Sequence, residues 1–257
     1  MDDNKEIRLT LYWTGSIPDK GISDFISVHR EVFGSDFDES AFAHKYRDNI
    51  YGESAILLAY HEERCVGIRV FWRNDLDGRK AFQPCDTAVL DTYRGEGLFR
   101  KMTMRALDEF SEEVALYNFP NENSLAAYEK MGWSGWEWKA KKRSKIFNPF
   151  KDRIDEISDA YLRWITEGDA VNRNLYHCRI NRKRYLLKKY RFNMYFILGR
   201  IHDEEGYRKR LPKASFPICF SYTDHGYIGN GVNVFTNNVP ADEDIPVYKI
   251  DTLLNRS

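Results

Sequence analysis

The chain has 257 residues, of which 42% are hydrophobic and 30% are charged. This balance is typical of a globular protein and excludes an intrinsically disordered one. The N-terminal residues are too polar for a signal peptide, and no apolar run reaches the ~18 residues of a membrane-spanning helix. We therefore expect a cytoplasmic protein without a membrane span.

The charge is divided unevenly along the chain, although the net charge is zero. Residues 1–138 carry 16 Lys and Arg against 25 Asp and Glu, whereas residues 139–257 carry 23 against 14. Two domains with complementary surfaces explain this division, and so does an anionic ligand on the basic half.

Neither the cysteines nor the histidines show the spacing of a metal centre. The six histidines are scattered, and the cysteines are far apart, at Cys65, Cys85, Cys178 and Cys219. We therefore predict buried thiols in a reducing compartment and no metal site.

Hydrophobic periodicity predicts alternating strands and helices in the first 140 residues. Strands are expected over 7–13, 54–61, 65–72, 81–89 and 114–119, and around Trp136 and Trp138. Helices are expected over 22–33, 40–48, 95–110 and 121–131, the last capped by Asn121 and ended by Gly132. This order predicts an α/β fold, a mixed central sheet with helices on both faces.

A basic segment, 141–153, contains Asn148-Pro149 and is predicted to link two domains, 1–140 and 154–257. The second domain is also expected to be α/β, with an acceptor-binding or lid role. Its predicted elements are a helix over 154–165 and strands over 175–180, 185–190, 194–198, 215–222 and 246–250. Both a distinct domain and a partial second copy of the first are compatible with this order.

The turn from Arg94 to Gly97 is predicted to bind phosphate. It leads from a strand into a helix, where backbone amides favour an anion. Gly95 and Gly97 leave room for the ligand and tolerate positive φ, and Arg94, Arg100 and Lys101 add positive charge. A dinucleotide fingerprint needs a third glycine at position 100, and a P-loop needs Gly-Lys-Ser/Thr, so neither motif fits. An ordinary strand-to-helix turn remains the alternative.

Two motifs together resemble the GNAT N-acetyltransferase family over residues 5–140. Arg94 and Gly97 fit the family pattern Gln/Arg-x-x-Gly-x-Gly/Ala, but Phe99 departs from it. The pattern Asn-x-x-Ala/Ser-x-x-x-Tyr-x-Lys-x-Gly-Phe is matched by Asn121, Ser124, Tyr128, Lys130, Gly132 and Trp133. The chain also resembles a bacterial subgroup with an Arg-Gly-x-Gly-Leu-Phe turn and a Tyr-Asn-Phe-Pro-Asn segment, here 117–121, which makes Phe99 a subfamily variant.

The resemblance implies a GNAT-like sheet and acetyl-CoA, or another acyl-CoA, as cofactor. The implied cofactor-binding residues are Val89, Leu90, Arg94, Gly95, Glu96, Gly97, Leu98, Phe99, Arg100, Asn121, Ser124 and Tyr128. Backbone amides near Val89 would stabilise the thioester oxyanion. Tyr128 is the candidate acid for the departing thiolate, because a phenol pKa of about 10 and a thiol pKa of about 8.5 are close. The alternative is that Tyr128 only packs its helix.

The general base is left open by the resemblance. Many family members carry Glu on the central strand four residues before the position of Val89, where this chain has Cys85. Asp86 is the candidate base, although strand alternation places it on the opposite face unless a bulge intervenes. A water-mediated route, a group from the C-terminal half and a nucleophilic Cys85 are alternatives.

The implied activity is direct transfer of an acetyl or short acyl group to a primary amine of a small molecule, such as an amino sugar. A non-catalytic module that binds CoA or a partner is the alternative, motivated by Cys85 and Phe99. Residues 179–191 carry seven cations among aromatics, which fits a solvated hairpin, a cleft for an anionic acceptor or a nucleic-acid surface. We expect no nucleic-acid partner, and a monomer or homodimer.

Overall fold

The computed structural model describes residues 6–76, 78–143, 154–166, 174–180, 182–202, 211–223, 228–239 and 245. The chain divides into two compact units. Unit 1 comprises Met1–Asn118 with Thr236–Ala241, and unit 2 comprises Phe119–Phe235 with Asp242–Ser257.

Unit 1 is built on a mixed sheet of five strands in the order β1-β2-β3-β4-β5. The strands are β1 (Ile7–Trp13), β2 (Ala55–His61), β3 (Arg64–Arg73), β4 (Ala81–Val89) and β5 (Ala115–Asn118). The first four pair antiparallel, whereas β5 runs parallel to β4 and pairs with it at Ala81–Ala115 and Phe82–Leu116. The strands predicted for this region are confirmed.

Helices of unit 1 cover both faces of the sheet. They are α1 (Asp19–Phe33), α2 (Glu39–Phe42), which continues into a π-helical turn (Ala43–Arg47), and α3 (Leu98–Leu107). Side chains alternate along β3, so Trp72 donates from its indole to the Lys45 carbonyl on one face while Arg69 lies under Phe99 on the other. The predicted mixed sheet with helices on both faces is therefore confirmed.

Two of the predicted helices of unit 1 differ in their details. The helix predicted over 95–110 runs from Leu98 to Leu107. It begins at Leu98 because Gly95 and Gly97 adopt left-handed conformations, which an α-helix does not contain. The helix predicted over 40–48 is one α-helical turn followed by the π-helical turn. Asp38 caps it by accepting a hydrogen bond from Ala41 N–H at 2.8 Å.

Unit 2 contains a second sheet, in the order β11-β6-β10-β9-β8-β7. Its strands are β6 (Ser134–Arg143), β7 (Leu175–Ile180), β8 (Lys183–Arg191), β9 (Met194–Ile201), β10 (Ile218–Thr223) and β11 (Ile228–Asn237). Its helices are α4 (Glu122–Lys130) and α5 (Asp159–Thr166). Strands β7, β8 and β9 form an antiparallel meander, and β10 runs parallel to β9. The predicted second α/β region is confirmed.

The two units share part of their order of elements. In each, helical structure precedes a three-stranded antiparallel meander, and the next strand of the chain runs parallel to the last strand of the meander. Unit 1 has α3 between the parallel strands, whereas the described residues 202 and 211–217 of unit 2 contain no helix. This order favours a partial second copy, which stays a prediction.

Three predictions in the second half need correction or fall outside the structure. Lys141–Arg143, assigned to the linker, continue β6 because their backbones pair with β10. The helix predicted from residue 154 begins at Asp159, since Asp155 and Ile157 bond to the backbone of Arg200 instead. The strand predicted over 246–250 and the linker residues 144–153 lie outside the described residues, and the division into domains stays a prediction.

Candidate functional site

The turn between β4 and α3 has the backbone that a phosphate site requires. Gly95 and Gly97 have φ angles of 83° and 72°, in the left-handed region that favours glycine. A Cβ atom added to either glycine would meet no protein atom within 4 Å, so open space lies beside the turn. The first helical hydrogen bond runs from Lys101 N–H to Gly97 O at 3.0 Å, so the preceding amides form the positive end of α3.

Arg94 holds the turn together while keeping its charge near solvent. Its Nη2 lies 2.9 Å from Asp91 Oδ1, and its Nε donates to Val89 O at 3.3 Å. The side chain is 58% exposed, and Arg100 and Lys101 are also exposed. The turn therefore combines N-terminal amides, space and several cations, which fits the pyrophosphate of CoA.

Phe99, the departure from the family pattern, covers a buried cation. The Arg69 guanidinium carbon lies 4.2 Å from the centre of the Phe99 ring and 5.2 Å from that of Phe71. Arg69 is fully buried in the middle of β3, and its Nη1 donates to Thr87 Oγ1 at 2.7 Å. The large ring therefore packs as the cover of Arg69, at the first turn of α3.

A β-bulge in β4 decides where Asp86 points. Ile68 pairs with Ala88 and Val70 with Cys85, so Asp86 and Thr87 together lie opposite Arg69. Asp86 itself has a φ of 41°. This is the bulge that would move Asp86 away from simple strand alternation.

Asp86 is the centre of a buried polar cluster, which we call the Asp86 cluster and which also contains Lys45, Tyr46 and His29. Lys45 Nζ lies 2.7 Å from Asp86 Oδ2, and the Tyr46 hydroxyl donates to the same oxygen. Lys45 and Tyr46 both belong to the π-helical turn, and such turns are frequent at functional sites. The cluster fixes the bulge from the α1 side of the sheet, while Arg69 bonds to Thr87 on the other side.

The pKa values in the Asp86 cluster follow from burial and from this charge pair. Burial by itself raises the pKa of Asp86. The charge of Lys45, the charge of His29, and the hydrogen bonds from Lys45 and Tyr46 lower it, so that the pKa lies below its usual value. Burial, followed by the Asp86 charge, raises the pKa of Tyr46 well above its usual range. Asp86 is therefore a stabilised carboxylate, which makes it a weaker base than a solvated one.

The residues of the second motif stabilise α4 and pack within unit 2. Asn121 Oδ1 accepts from Ser124 N–H at 3.1 Å, so the predicted N-cap is confirmed. The Tyr128 side chain is 2% exposed, and its ring lies edge-on to Trp133 at 4.8 Å and tilted to Phe235 at 6.4 Å. This burial is what a packing role requires, and the acid role of Tyr128 stays a prediction.

Leu90 and Cys85, two further positions of the predicted site, are both buried. Leu90 N–H donates to Val66 O at 2.9 Å, so the sheet already uses this amide. Cys85 is buried and adjoins Asp86 in β4, and it contributes to raising the pKa of Tyr46. All four cysteines fall in the described part of the chain and are buried thiols. Within that part no group of three or more His, Cys, Asp or Glu could hold a metal ion, and no helix could cross a membrane.

The sequence alone did not predict the roles of Lys45, Tyr46, Arg69 and Thr87. One signal was available for Arg69, because a cation in the middle of the apolar run 65–72 is unusual unless it has a dedicated partner. Lys45 and Tyr46 gave no such signal, since a polar residue in a short predicted helix is ordinary.

Comparison with known proteins agrees with this geometry. Residues 16–135 match a family model described as an acetyltransferase (GNAT) domain. No curated protein matches the chain.

Similar solved structures include a probable N-acyltransferase from Enterococcus faecalis, which is 8% identical with a TM-score of 0.52 over 90% of this chain and 72% of that one. A putative acetyltransferase from Pyrococcus horikoshii is 11% identical, with a TM-score of 0.48 over 94% of both chains. A GCN5-related N-acetyltransferase from Kribbella flavida is 10% identical, with a TM-score of 0.48 over 90% of this chain and 71% of that one.

The family model spans β4, the glycine turn and α3, which carry the candidate phosphate site of unit 1, and it also spans α4. The fold likeness to the Enterococcus faecalis structure agrees with this match. Residues 16–135 are therefore a GNAT acetyltransferase domain by this family match.

Proposed function

We propose that the protein transfers an acetyl or short acyl group from acyl-CoA to a primary amine of a small molecule, such as an amino sugar. The observation that carries the proposal is the turn from Arg94 to Gly97, with two left-handed glycines, open space beside them and the positive end of α3 behind them. Its position after β4 within the matched family region supports the assignment of that space to CoA phosphates.

Acyl-CoA supplies an activated thioester, and the residues of this chain would bind and orient it. The amides from Gly95 to Arg100 and the charges of Arg94, Arg100 and Lys101 are proposed to hold the phosphates. The β4 backbone after the bulge, at Ala88 and Val89, is proposed to face the thioester. Asp86 and Arg69 fix this stretch from opposite sides of the sheet, which supports a preorganised backbone there.

Tyr128 is proposed as the acid that protonates the departing thiolate, and Asp86 as the base that the acceptor amine needs. The lowered pKa of Asp86 and its contact with Lys45 weigh against direct proton removal. Asp86 would therefore act as a base only through a relay, in which Tyr46 or a water molecule passes the proton. A route by water alone is the competing description.

A non-catalytic module that binds CoA is the second candidate. It is favoured by one observation, the engagement of the strand carboxylate of Asp86 in a buried ion pair. This candidate and the enzyme share the same CoA site, so only the transfer step separates them.

The experiment combines calorimetry with thiol detection. The full chain is titrated with acetyl-CoA, and CoA release is then followed with a panel of amino sugars, polyamines and amino acids. Binding together with a saturable rate for one amine class supports the enzyme. Binding with only slow, amine-independent release supports the module, and no binding at millimolar acetyl-CoA contradicts both.

A further inference from the structure

The end of the unit 2 sheet carries a concentration of exposed apolar side chains, which we call the aromatic tip. It consists of Tyr190, Phe192, Phe216 and Ile218. Phe192 is 88% exposed and Phe216 is 86% exposed. Seven large hydrophobic side chains are exposed among the described residues, and four of them belong to the tip. The exposed apolar side chains are therefore concentrated at this end of the sheet.

The backbone joins the two segments of the tip. Ile218 pairs with Met194 in the parallel ladder between β10 and β9, so Phe216 and Phe192 each precede a paired residue by two positions. Ile218 N–H donates to Asn193 O at 2.8 Å, and the Asn193 amide donates to Phe216 O. The two phenylalanines therefore stand at the same end of the sheet on segments that are hydrogen-bonded to each other.

The tip belongs to a strongly basic part of the chain. Residues 174–202 carry eight Lys and Arg and contain neither Asp nor Glu. Arg191 lies at the tip itself, where it stacks 5.5 Å from the centre of the Tyr190 ring. Lys189 lies three residues before Phe192, with its ammonium 5.7 Å from the centre of the Tyr176 ring. The next acidic residues, 203–205, follow the opposite end of β9 in the chain and lie outside the described residues.

From these observations we propose that the aromatic tip docks on an anionic lipid surface. Exposed rings insert at the boundary between lipid headgroups and acyl chains, while neighbouring cations contact the lipid phosphates. Lys189 and Arg191 supply this charge complementarity beside Phe192 and Phe216. The proposal is independent of the acyl-transfer reaction.

Two other occupants fit the tip less well. A second protein chain needs roughly 20–30 residues on each side of a stable interface, and the tip offers a few side chains. Single-stranded nucleic acid stacks its bases on aromatic rings along a groove, whereas Phe192 and Phe216 both occupy turns at the end of strands.

The test is co-sedimentation of the full chain with vesicles of phosphatidylcholine alone and of phosphatidylcholine mixed with phosphatidylglycerol. One variant is Phe192→Gly/Phe216→Gly, chosen because both residues have positive φ, which glycine adopts without strain. A second is Lys189→Gln/Arg191→Gln. Phe33→Ser, which removes a half-exposed ring in unit 1, is the matched control.

We expect the wild type to sediment with the mixed vesicles and to be released by salt. The charge variant should lose about 25-fold in partition, since each cation near an anionic surface is worth a factor of about five. The glycine variant should lose tenfold or more without any fall in melting temperature, and Phe33→Ser should bind like the wild type. Equal sedimentation with neutral vesicles, or wild-type binding by the glycine variant, would overturn the proposal. So would tip-dependent binding to single-stranded DNA without vesicle binding.

Discussion

The Arg69 guanidinium lies 4.2 Å from the centre of the Phe99 ring, so the residue that departs from the family pattern covers a buried cation of β3. Arg69 also donates to Thr87 in the bulge of β4. Through these two contacts the first turn of α3 is packed against the strand that precedes it. The departure at Phe99 is therefore part of the packing between the glycine turn and the bulge.

Replacing Phe99 with leucine should remove the cation–π contact while keeping most of the apolar cover. We expect the free energy of unfolding to fall by about 1–2 kcal/mol, the range for a desolvated cation–π pair. Urea denaturation measures this difference. Met104→Leu, a substitution of similar volume on the same helix, is the control, and an equal effect of both substitutions would contradict the role of the ring.

Replacing Gly97 with alanine separates ligand binding from backbone strain. A left-handed alanine costs about 1–2 kcal/mol of stability, and Gly34→Ala, at a φ of 60° with equally open space, should cost the same. Only Gly97→Ala should weaken acetyl-CoA binding, by tenfold or more in calorimetry, because its Cβ occupies the proposed phosphate space. If both variants bind acetyl-CoA like the wild type, the turn is not the CoA site.

The Lys45–Asp86 pair can be tested by removing one charge and then both. Lys45→Met leaves the Asp86 carboxylate buried without its cation, so we expect a loss of about 3–5 kcal/mol in urea denaturation. Lys45→Met/Asp86→Asn should recover most of that loss, since asparagine tolerates positive φ and still accepts from Tyr46. A double variant that is no more stable than Lys45→Met would show that the pair does not interact as described.

Tyr128→Phe tests the proposed acid. We expect kcat to fall by about 10²–10⁴-fold, the usual contribution of a general acid, with the acetyl-CoA dissociation constant unchanged. Tyr161→Phe, another buried tyrosine of unit 2, should leave kcat near the wild-type value. A wild-type kcat in Tyr128→Phe would leave this residue with its packing role against Trp133 alone.

His29 should make stability depend on pH in the neutral range. Its ring is buried against Phe37 and bonded to Ser35, and burial lowers its pKa, although Asp86 opposes the effect and Lys45 adds to it. The folded pKa of His29 lies below the unfolded value of about 6.5. The stability that the neutral ring contributes is therefore fully present above the unfolded pKa, and it is lost as the pH falls from that value through the folded pKa.

The corresponding measurement is urea denaturation between about pH 7.5 and about pH 5.5, which spans the unfolded histidine pKa. The wild type should lose more unfolding free energy over this interval than His29→Gln, which cannot be protonated. Identical pH slopes for the two proteins would contradict a buried neutral His29.

The sequence by itself determined the features that depend on neighbours in the chain. Short apolar segments bounded by turns predicted β1 to β5, and Asn121 predicted the start of α4, because such segments and helix capping are local properties. Gly95 and Gly97 were predicted to form a turn with positive φ for the same reason, because this conformation depends only on their own backbones.

Only the tertiary structure decided what surrounds Asp86 and Arg69. Lys45 and Asp86 are 41 residues apart, and Arg69 and Thr87 are 18 apart, so both contacts depend on how the strands align and where the bulge falls. A one-residue bulge reverses the direction of a side chain, and no periodic pattern in β4 reports it. The sheet register therefore determines that Asp86, the predicted base, is an ion-paired carboxylate.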